Sequence, residues 1–367
     1  MHGYPRLLLL VGLLILSSAF DTTSFVHGDG PSSPELTTEI STHLDNTLLD
    51  DEHVHGENDI KHNRPDTHAP GGLMGDHVHA RGEYMIEYKY MNMYMAGNRA
   101  GSTRLTPGQA MMFDGFMVAP TAMTMEMHMA HFMYGYTDNI TMYIMPMWKV
   151  HAMDHVRMDT STFRTVNAGI ADLPFGALWR IHNGDADELI ANVGFSAPTG
   201  DIDNLAPTGS EFPYPMRLGA GTWNARPGIT YKGYRENSSM GVQFQTDIPM
   251  GLNKENYAVG NDYRLDAWYA HRIGRQQQAA LTFRVECMWQ NNFSGADPDL
   301  MMMAGMVPTA RPDYQGGEWV NLGYGTVWSL PDGSRLNFEI SHPVHQHLDG
   351  VQLEIDWSLT GSWSKGF

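Results

Sequence analysis

Cysteine is nearly missing from this chain: Cys287 is the single one in 367 residues, which excludes an intramolecular disulfide and any thiolate metal cluster. Positive charge is scarce as well. Lys and Arg number 23 against 41 Asp and Glu, a formal net charge of −18, and this argues against a nucleic-acid partner. No run of about 18 apolar residues occurs, so any membrane span must be made of strands. Also missing are a glycine-rich phosphate loop, a nucleophile elbow and a zinc-protease helix. Ser196, and Ser341 beside His342, lack the surroundings of a catalytic nucleophile, so the chain is expected not to be an enzyme.

What the chain has is alternation. Val351, Leu353, Ile355, Trp357, Leu359 and Trp363 interleave with Gln352, Glu354, Asp356, Ser358, Thr360 and Ser362, and the sequence ends at Phe367. Period-2 alternation describes a strand with one apolar and one polar face. In an outer-membrane barrel the apolar face meets lipid and the polar face lines the lumen. The aromatic end resembles the signature read by the outer-membrane insertion machinery. At the other end, Arg6, the apolar run Leu7 to Leu16 and Ser17-Ser18-Ala19 have the form of a secretory signal over residues 1–19. Cys287 shares the apolar face with Leu281, Phe283 and Val285 and reads as a small apolar side chain.

Residues 20–80 are poor in large apolar side chains and rich in His, Asp and Glu, the composition of a disordered segment. From there, over 81–367, twelve alternating segments are expected near 83–96, 118–136, 140–153, 168–182, 188–198, 220–235, 239–250, 262–273, 277–290, 318–330, 335–346 and 350–366. Tight polar turns, such as Thr137-Asp138-Asn139 and Pro331-Asp332-Gly333, alternate with longer connections near 97–117, 154–167, 198–219, 251–261 and 291–317. That asymmetry predicts a closed antiparallel transmembrane β-barrel of about 12 strands, all-β, behind a disordered N-terminal segment. An even strand count places both termini in the periplasm. The expected location is the outer membrane of a Gram-negative-type cell, and the expected partners are the lipid bilayer and the insertion machinery.

Four segments carry a family resemblance: Pro70-Gly71-Gly72-Leu73-Met74-Gly75-Asp76-His77, the run Ala119 to Met129, Pro213 to Gly219, and Gly295-Ala296-Asp297-Pro298. Over roughly 70–367 the chain resembles predicted outer-membrane proteins placed near the transporter-like "MetA-pathway of phenol degradation" barrels. The resemblance implies an outer-membrane barrel; it brings neither a cargo nor catalytic residues.

Methionine is the compositional anomaly, with 27 in all and 16 between Met85 and Met153. A charge facing lipid near the midplane costs about 2–4 kcal/mol, so the face of each strand that carries charge is expected to look inward. This places Glu87, Lys89, Glu126, Arg264, Asp266, Arg284, Glu286, Arg335, Glu339, Glu354 and Asp356 in the lumen, the Arg and carboxylate groups pairing across it. It also places Met91, Met93, Met95, Met145, Met147 and Met153 there beside His128 and His151, and puts Met123, Met125, Met127 and Met129 in lipid. Thioethers suit Cu(I) and imidazoles suit Cu(II), Zn(II) and Ni(II), so Met93, His128, Met147 and His151 are candidate ligands of copper or another soft cation. The pairs His53/His55 and His77/His79 are candidates too, since residues i and i+2 of an extended chain point the same way. The expected function is a channel or transporter for a small solute; a metal-binding outer-membrane protein and a structural barrel are the alternatives.

Overall fold

The computed structural model describes residues 64–206, 209–274 and 278–367. The expected signal segment and most of the expected disordered segment, including His53 and His55, lie outside the described residues. The strands are β1 Tyr84–Gly101, β2 Thr103–Leu105, β3 Val118–Thr137, β4 Ile140–Ile144, β5 Met147–Arg157, β6 Thr162–Ile170, β7 Leu173–Asn183, β8 Asp187–Ala197, β9 Asn224–Tyr234, β10 Ser238–Pro249, β11 Tyr257–Ala258, β12 Asp262–Ile273, β13 Ala279–Gln290, β14 Ser294–Gly295, β15 Gly317–Ser329 and β16 Ser334–Gly366. Among the described residues two short α-helices, α1 Pro107–Asp114 and α2 Pro298–Met301, lie in the connections.

Fourteen strands form one antiparallel sheet, which closes on itself where β1 pairs with β3. The closed ring holds eleven strands, and the last of them doubles back. The first arm of β16 pairs with β15 up to Leu348, and its second arm, from Leu348 onward, pairs with β1. Gly350, at φ +77, turns the chain between the two arms. β16 therefore crosses the wall twice, which gives the ring twelve passes.

β4 and β5 are one pass interrupted at Met145-Pro146, because Pro has no N–H to give to a ladder. β6 and β7 are likewise one pass, broken at Ala171-Asp172. The connection expected over 154–167 is instead mostly strand. β5 and β6 pair from Trp148/Ile170 to Val156/Thr162, and the turn between them is closed by Arg157 N–H donating to the Ser161 carbonyl. β8 ends at Ala197, so β6 pairs only with β5 among the described strands. Residues of the 198–223 loop cover its other edge, where Asn167 donates to the Met216 carbonyl at 2.9 Å.

Tight turns gather at one end of the barrel and long connections at the other. The outer face carries exposed Ile86, Phe132, Ile229, Phe283 and Ile340, with Tyr84, Tyr136, Trp179, Tyr231 and Trp328 toward the tight-turn rim, as a lipid-facing wall with an aromatic girdle requires. At the other end the long loops pack on one another. Tyr214, Tyr257, Leu300 and Ala310 form a buried cluster there. Buried Arg217 ties three loops together, bonding Glu211 at 2.7 Å, Asp297 at 2.6 Å and the Tyr257 hydroxyl at 3.1 Å.

Pairing register corrects one expected face. In an antiparallel sheet, directly opposed residues share a face. Met123, Met125, Met127 and Met129 oppose Met95, Met93, Met91 and Lys89 on β1, and Met153, His151, Lys149 and Met147 on β5. That face is the lumen, because Met85 and Lys89 on it are buried while Tyr84, Ile86 and Tyr88 between them are exposed. The methionine ladder of β3 therefore lines the interior, and Glu126 and His128 look outward. Glu126 lies ten residues from Tyr136; at a strand rise of about 3.4 Å and a tilt of about 40°, that is roughly the 25 Å height of an apolar band. An outward carboxylate at that height stands at the polar edge of the bilayer, where its desolvation cost falls away.

Candidate functional site

The lumen is occupied by the chain itself. Residues 64–80, assigned from composition to a disordered segment, run into the tight-turn half of the barrel, turn near Gly72 and return to start β1. Composition misleads here because the segment has few large side chains of its own to bury. Its backbone is instead satisfied by polar groups projecting from the wall. Lys232 donates to the Thr67 carbonyl at 3.2 Å, Asn337 to Ala69 at 3.1 Å, Lys89 to Leu73 at 2.8 Å, Gln243 to Met74 at 3.0 Å and Arg180 to Val78 at 2.8 Å. Apolar anchoring is modest: Val78 packs with Met85, Met133, Leu178 and Ile190, and Ala69 and Leu73 with Trp268. A cavity of about 40 Å³ remains between this plug and the wall, room for roughly one water.

Charged groups facing the plug are paired. Arg284 is held by Asp266 at 2.7 Å, Glu339 at 2.6 Å and Glu286 at 3.2 Å. Lys232 sits 2.8 Å from Glu188, and Glu87 lies 3.7 Å from Lys89 and 3.4 Å from the His131 ring. Arg264 pairs with Asp262 at 2.8 Å, and Arg335 lines the cavity beside His68. Glu354 takes Arg99 at 2.7 Å and Arg104 at 2.8 Å toward the long-loop end. Asp356 beside it is skipped by the ladder, since Tyr94 opposes Trp357 and Met95 opposes Ile355.

Within the plug, His68, Asp76 and His77 bring their ligand atoms within 4.8 Å of one another. The Asp76 carboxylate accepts from the Ala69 N–H at 2.8 Å and contacts His77 Nδ1 at 2.8 Å, with Lys232 3.9 Å away. Burial, with Arg335 adding to it, holds His68 well below the ordinary imidazole range; burial also lowers His77, against the pull of Asp76. Burial would push Asp76 up, but His77 and Lys232 outweigh it and keep the carboxyl well below its usual range. Two neutral imidazoles and an anion could ligate a divalent cation, yet Lys232 and Arg335 already supply positive charge there. The trio reads as the clasp of the plug. The other acidic cluster, Glu211, Asp297 and Asp299, has the Arg217 guanidinium among its carboxylates.

The clasp carries a pH dependence. A buried imidazole with a depressed pKa stays neutral when docked and takes up a proton when released, so docking is insensitive above about pH 6.5 and weakens as pH falls below it, by up to about 1.4 kcal/mol per unit per histidine. Asp76 acts in the same direction but in a lower window: its share is full above the ordinary carboxylate range and is lost as pH falls through its lowered value. Hydrogen exchange of residues 64–80, corrected for intrinsic rates, should therefore lose protection between pH 7 and pH 5. Protection that is flat over that range would show that the histidines do not clasp.

The candidate metal residues do not assemble as a set. His128 faces outward and its Nδ1 meets the Tyr88 hydroxyl at 2.7 Å. Met147 opposes Met129, two rows away from His151. His77 and His79 are in the plug, their rings 4.9 Å apart. Met93 and His151 do share a lumenal row, and the residue between them is Met125. The turn could have revealed this. Counting back from Thr137-Asp138-Asn139 sets Met133 against Tyr143 and Met129 against Met147, which puts the β3 methionines on the face already assigned inward for β5. His68 and Lys232–Glu188 left no such trace, since their meeting depends on how the plug enters.

Compared by sequence, the chain matches no protein-family model and no curated protein. Compared by structure, it is similar to the COG4313 outer membrane channel from Pseudomonas putida F1, at 13% identity and a TM-score of 0.52, covering 79% of this chain and 97% of that one. It is more loosely similar to the TodX monoaromatic hydrocarbon channel deltaS2 mutant (9% identity, TM-score 0.42, 79% and 91% covered) and to the KdgM porin (6%, 0.38, 77% and 99%). The first likeness is one of fold: this chain shares that channel's closed antiparallel β-barrel. The name of the MetA-pathway family finds no support among these neighbours.

Proposed function

We propose that the chain is an outer-membrane channel for a small solute, closed at rest by its own residues 64–80. The observation that carries this reading is the kind of bond holding the plug. Its backbone carbonyls are taken by Lys, Arg, Asn and Gln side chains of the wall, groups that water can replace once the segment leaves, whereas its apolar anchoring is small. A plug meant to be permanent would bury a larger apolar face. The fold shared with a solved outer-membrane channel supports the same reading. The barrel sits in the outer membrane of a Gram-negative-type cell with the tight turns and both termini in the periplasm, delivered there by the insertion machinery. Ser341 and His342 do not form a nucleophile and its base: Ser341 faces the lumen and bonds Ser358 at 2.8 Å, while the adjacent His342 lies on the opposite face of its strand.

The test is conductance in a planar bilayer. The wild-type barrel should be closed or open only in brief events, and deletion of residues 64–80 should give a sustained open level. A deletion variant that assembles, migrates as a heat-modifiable barrel and still conducts nothing would favour a structural barrel.

A further inference from the structure

Three lumenal rows cross β1, β3 and β5 above the plug. The row toward the long loops, Met95, Met123 and Met153, is covered by Phe212 and Met216 of the 198–223 loop, and packing accounts for it. The row below it runs Met93, Met125, His151. Met125 packs in part against the same cluster, but packing does not account for the rest of this row. Met93 and Met125 are half-buried, and His151 is 2% exposed, its ring beside the Pro215 and Met216 backbone with neither nitrogen in a hydrogen bond of standard geometry. A buried ring bonded this poorly carries an unfavourable cost, which an apolar residue would remove without loss to a filler role.

Opposed residues on neighbouring strands have Cβ atoms about 4.5–5.5 Å apart, within reach of one ion for side chains as long as methionine. The row offers two thioethers and one imidazole, and on β1, β3 and β5 no carboxylate occurs in it or in the rows on either side; on β16, Ser358 opposes Met93 and Asp356 follows two residues away. The next row down contributes Lys149. A hard or doubly charged cation would find no anionic oxygen on these three strands and a positive charge in the next row. A soft monovalent ion needs neither oxygen nor anion. We propose that Met93, Met125 and His151 form a lumenal binding site for Cu(I) or Ag(I). The site rests on the register of the wall and stands whether or not the barrel conducts.

The experiment uses the full-length, detergent-solubilised protein with His53 and His55 changed to Gln, titrated with Ag(I), and with Cu(I) against a chromophoric Cu(I) chelator. Met93→Leu with Met125→Leu keeps the apolar volume and removes both sulfurs. It should weaken binding by at least about 10–100-fold, the loss that even outer-shell changes cause at metal sites, with heat-modifiable migration unchanged. X-ray absorption of the Cu(I)-loaded parent should show sulfur in the first shell, and the double variant should lose it. Unchanged affinity in the double variant, or a first shell without sulfur, overturns the proposal. So does loss of binding on His68→Gln with His77→Gln while Met93 and Met125 are intact, which would move the ion to the plug. Should neither metal bind more tightly than to an unrelated barrel, the methionines are filler.

Discussion

Arg284→Met should destabilise the barrel by about 3–5 kcal/mol, the cost of removing one member of a buried ionic cluster. The guanidinium is 4% exposed and holds Asp266, Glu286 and Glu339, whose charges sit under the plug with little access to water. Methionine fills most of the volume, so the loss comes from three carboxylates left to repel one another without a cation. Urea unfolding from lipid vesicles, followed by tryptophan fluorescence, measures it. Adding Asp266→Asn and Glu339→Gln to the Arg284→Met variant should recover most of the loss, because neutral amides can share hydrogen bonds where anions cannot. A loss under about 1 kcal/mol in the single variant would mean that water already reaches the cluster, as it would around an ion pair at a surface.

Gly72→Val should have the largest functional effect of any single substitution, opening the channel to the level of the variant lacking residues 64–80. A Cβ at position 72 would lie 2.4 Å from Nη2 of Arg284 and 2.7 Å from Oε1 of Glu339, closer than heavy atoms approach without displacement. An arginine end is ordinarily free to move aside. This one is fixed, its Nη1 donating to Asp266 at 2.7 Å and its Nε and Nη2 to Glu339 at 3.1 and 2.6 Å. Yielding would break the cluster whose loss costs several kcal/mol, whereas expelling the plug loses water-replaceable hydrogen bonds, the looser contacts of Asp66 with Arg272 and Asp76 with Lys232, and a small apolar contact. The plug should therefore leave while the barrel stays assembled. Single-channel recording and hydrogen exchange of residues 64–80 check this together. Closed channels with full protection of the segment would show that the clash is absorbed locally.

The alternation of Leu281, Phe283 and Val285 with Arg284 and Glu286, repeated strand after strand, was enough to read a barrel with charge inside and hydrocarbon outside. It suffices because the two faces of a strand meet different solvents and composition records which. The alternation of tight turns with long connections was legible for a similar local reason, since a turn is made by the residues in it. Where a rule based on charge met a strand with little charge, it failed. The charge rule turns Glu126 and His128 inward, whereas register with β1 and β5 puts them on the outer face with the methionines inside. A carboxylate is costly only at membrane depth, and depth is set by how far along the wall a residue lies, a property of the assembled barrel. The fate of residues 64–80 was decided in the same way. Their sequence holds too little apolar surface to fold alone, and they are ordered because Lys89, Arg180, Lys232, Gln243 and Asn337, remote in sequence, converge to satisfy their backbone. Pattern along the chain thus determined the wall, because side-chain alternation is local. The contents of the lumen, plug and methionine rows alike, were decided by tertiary structure, because they depend on which strands the closed barrel brings face to face.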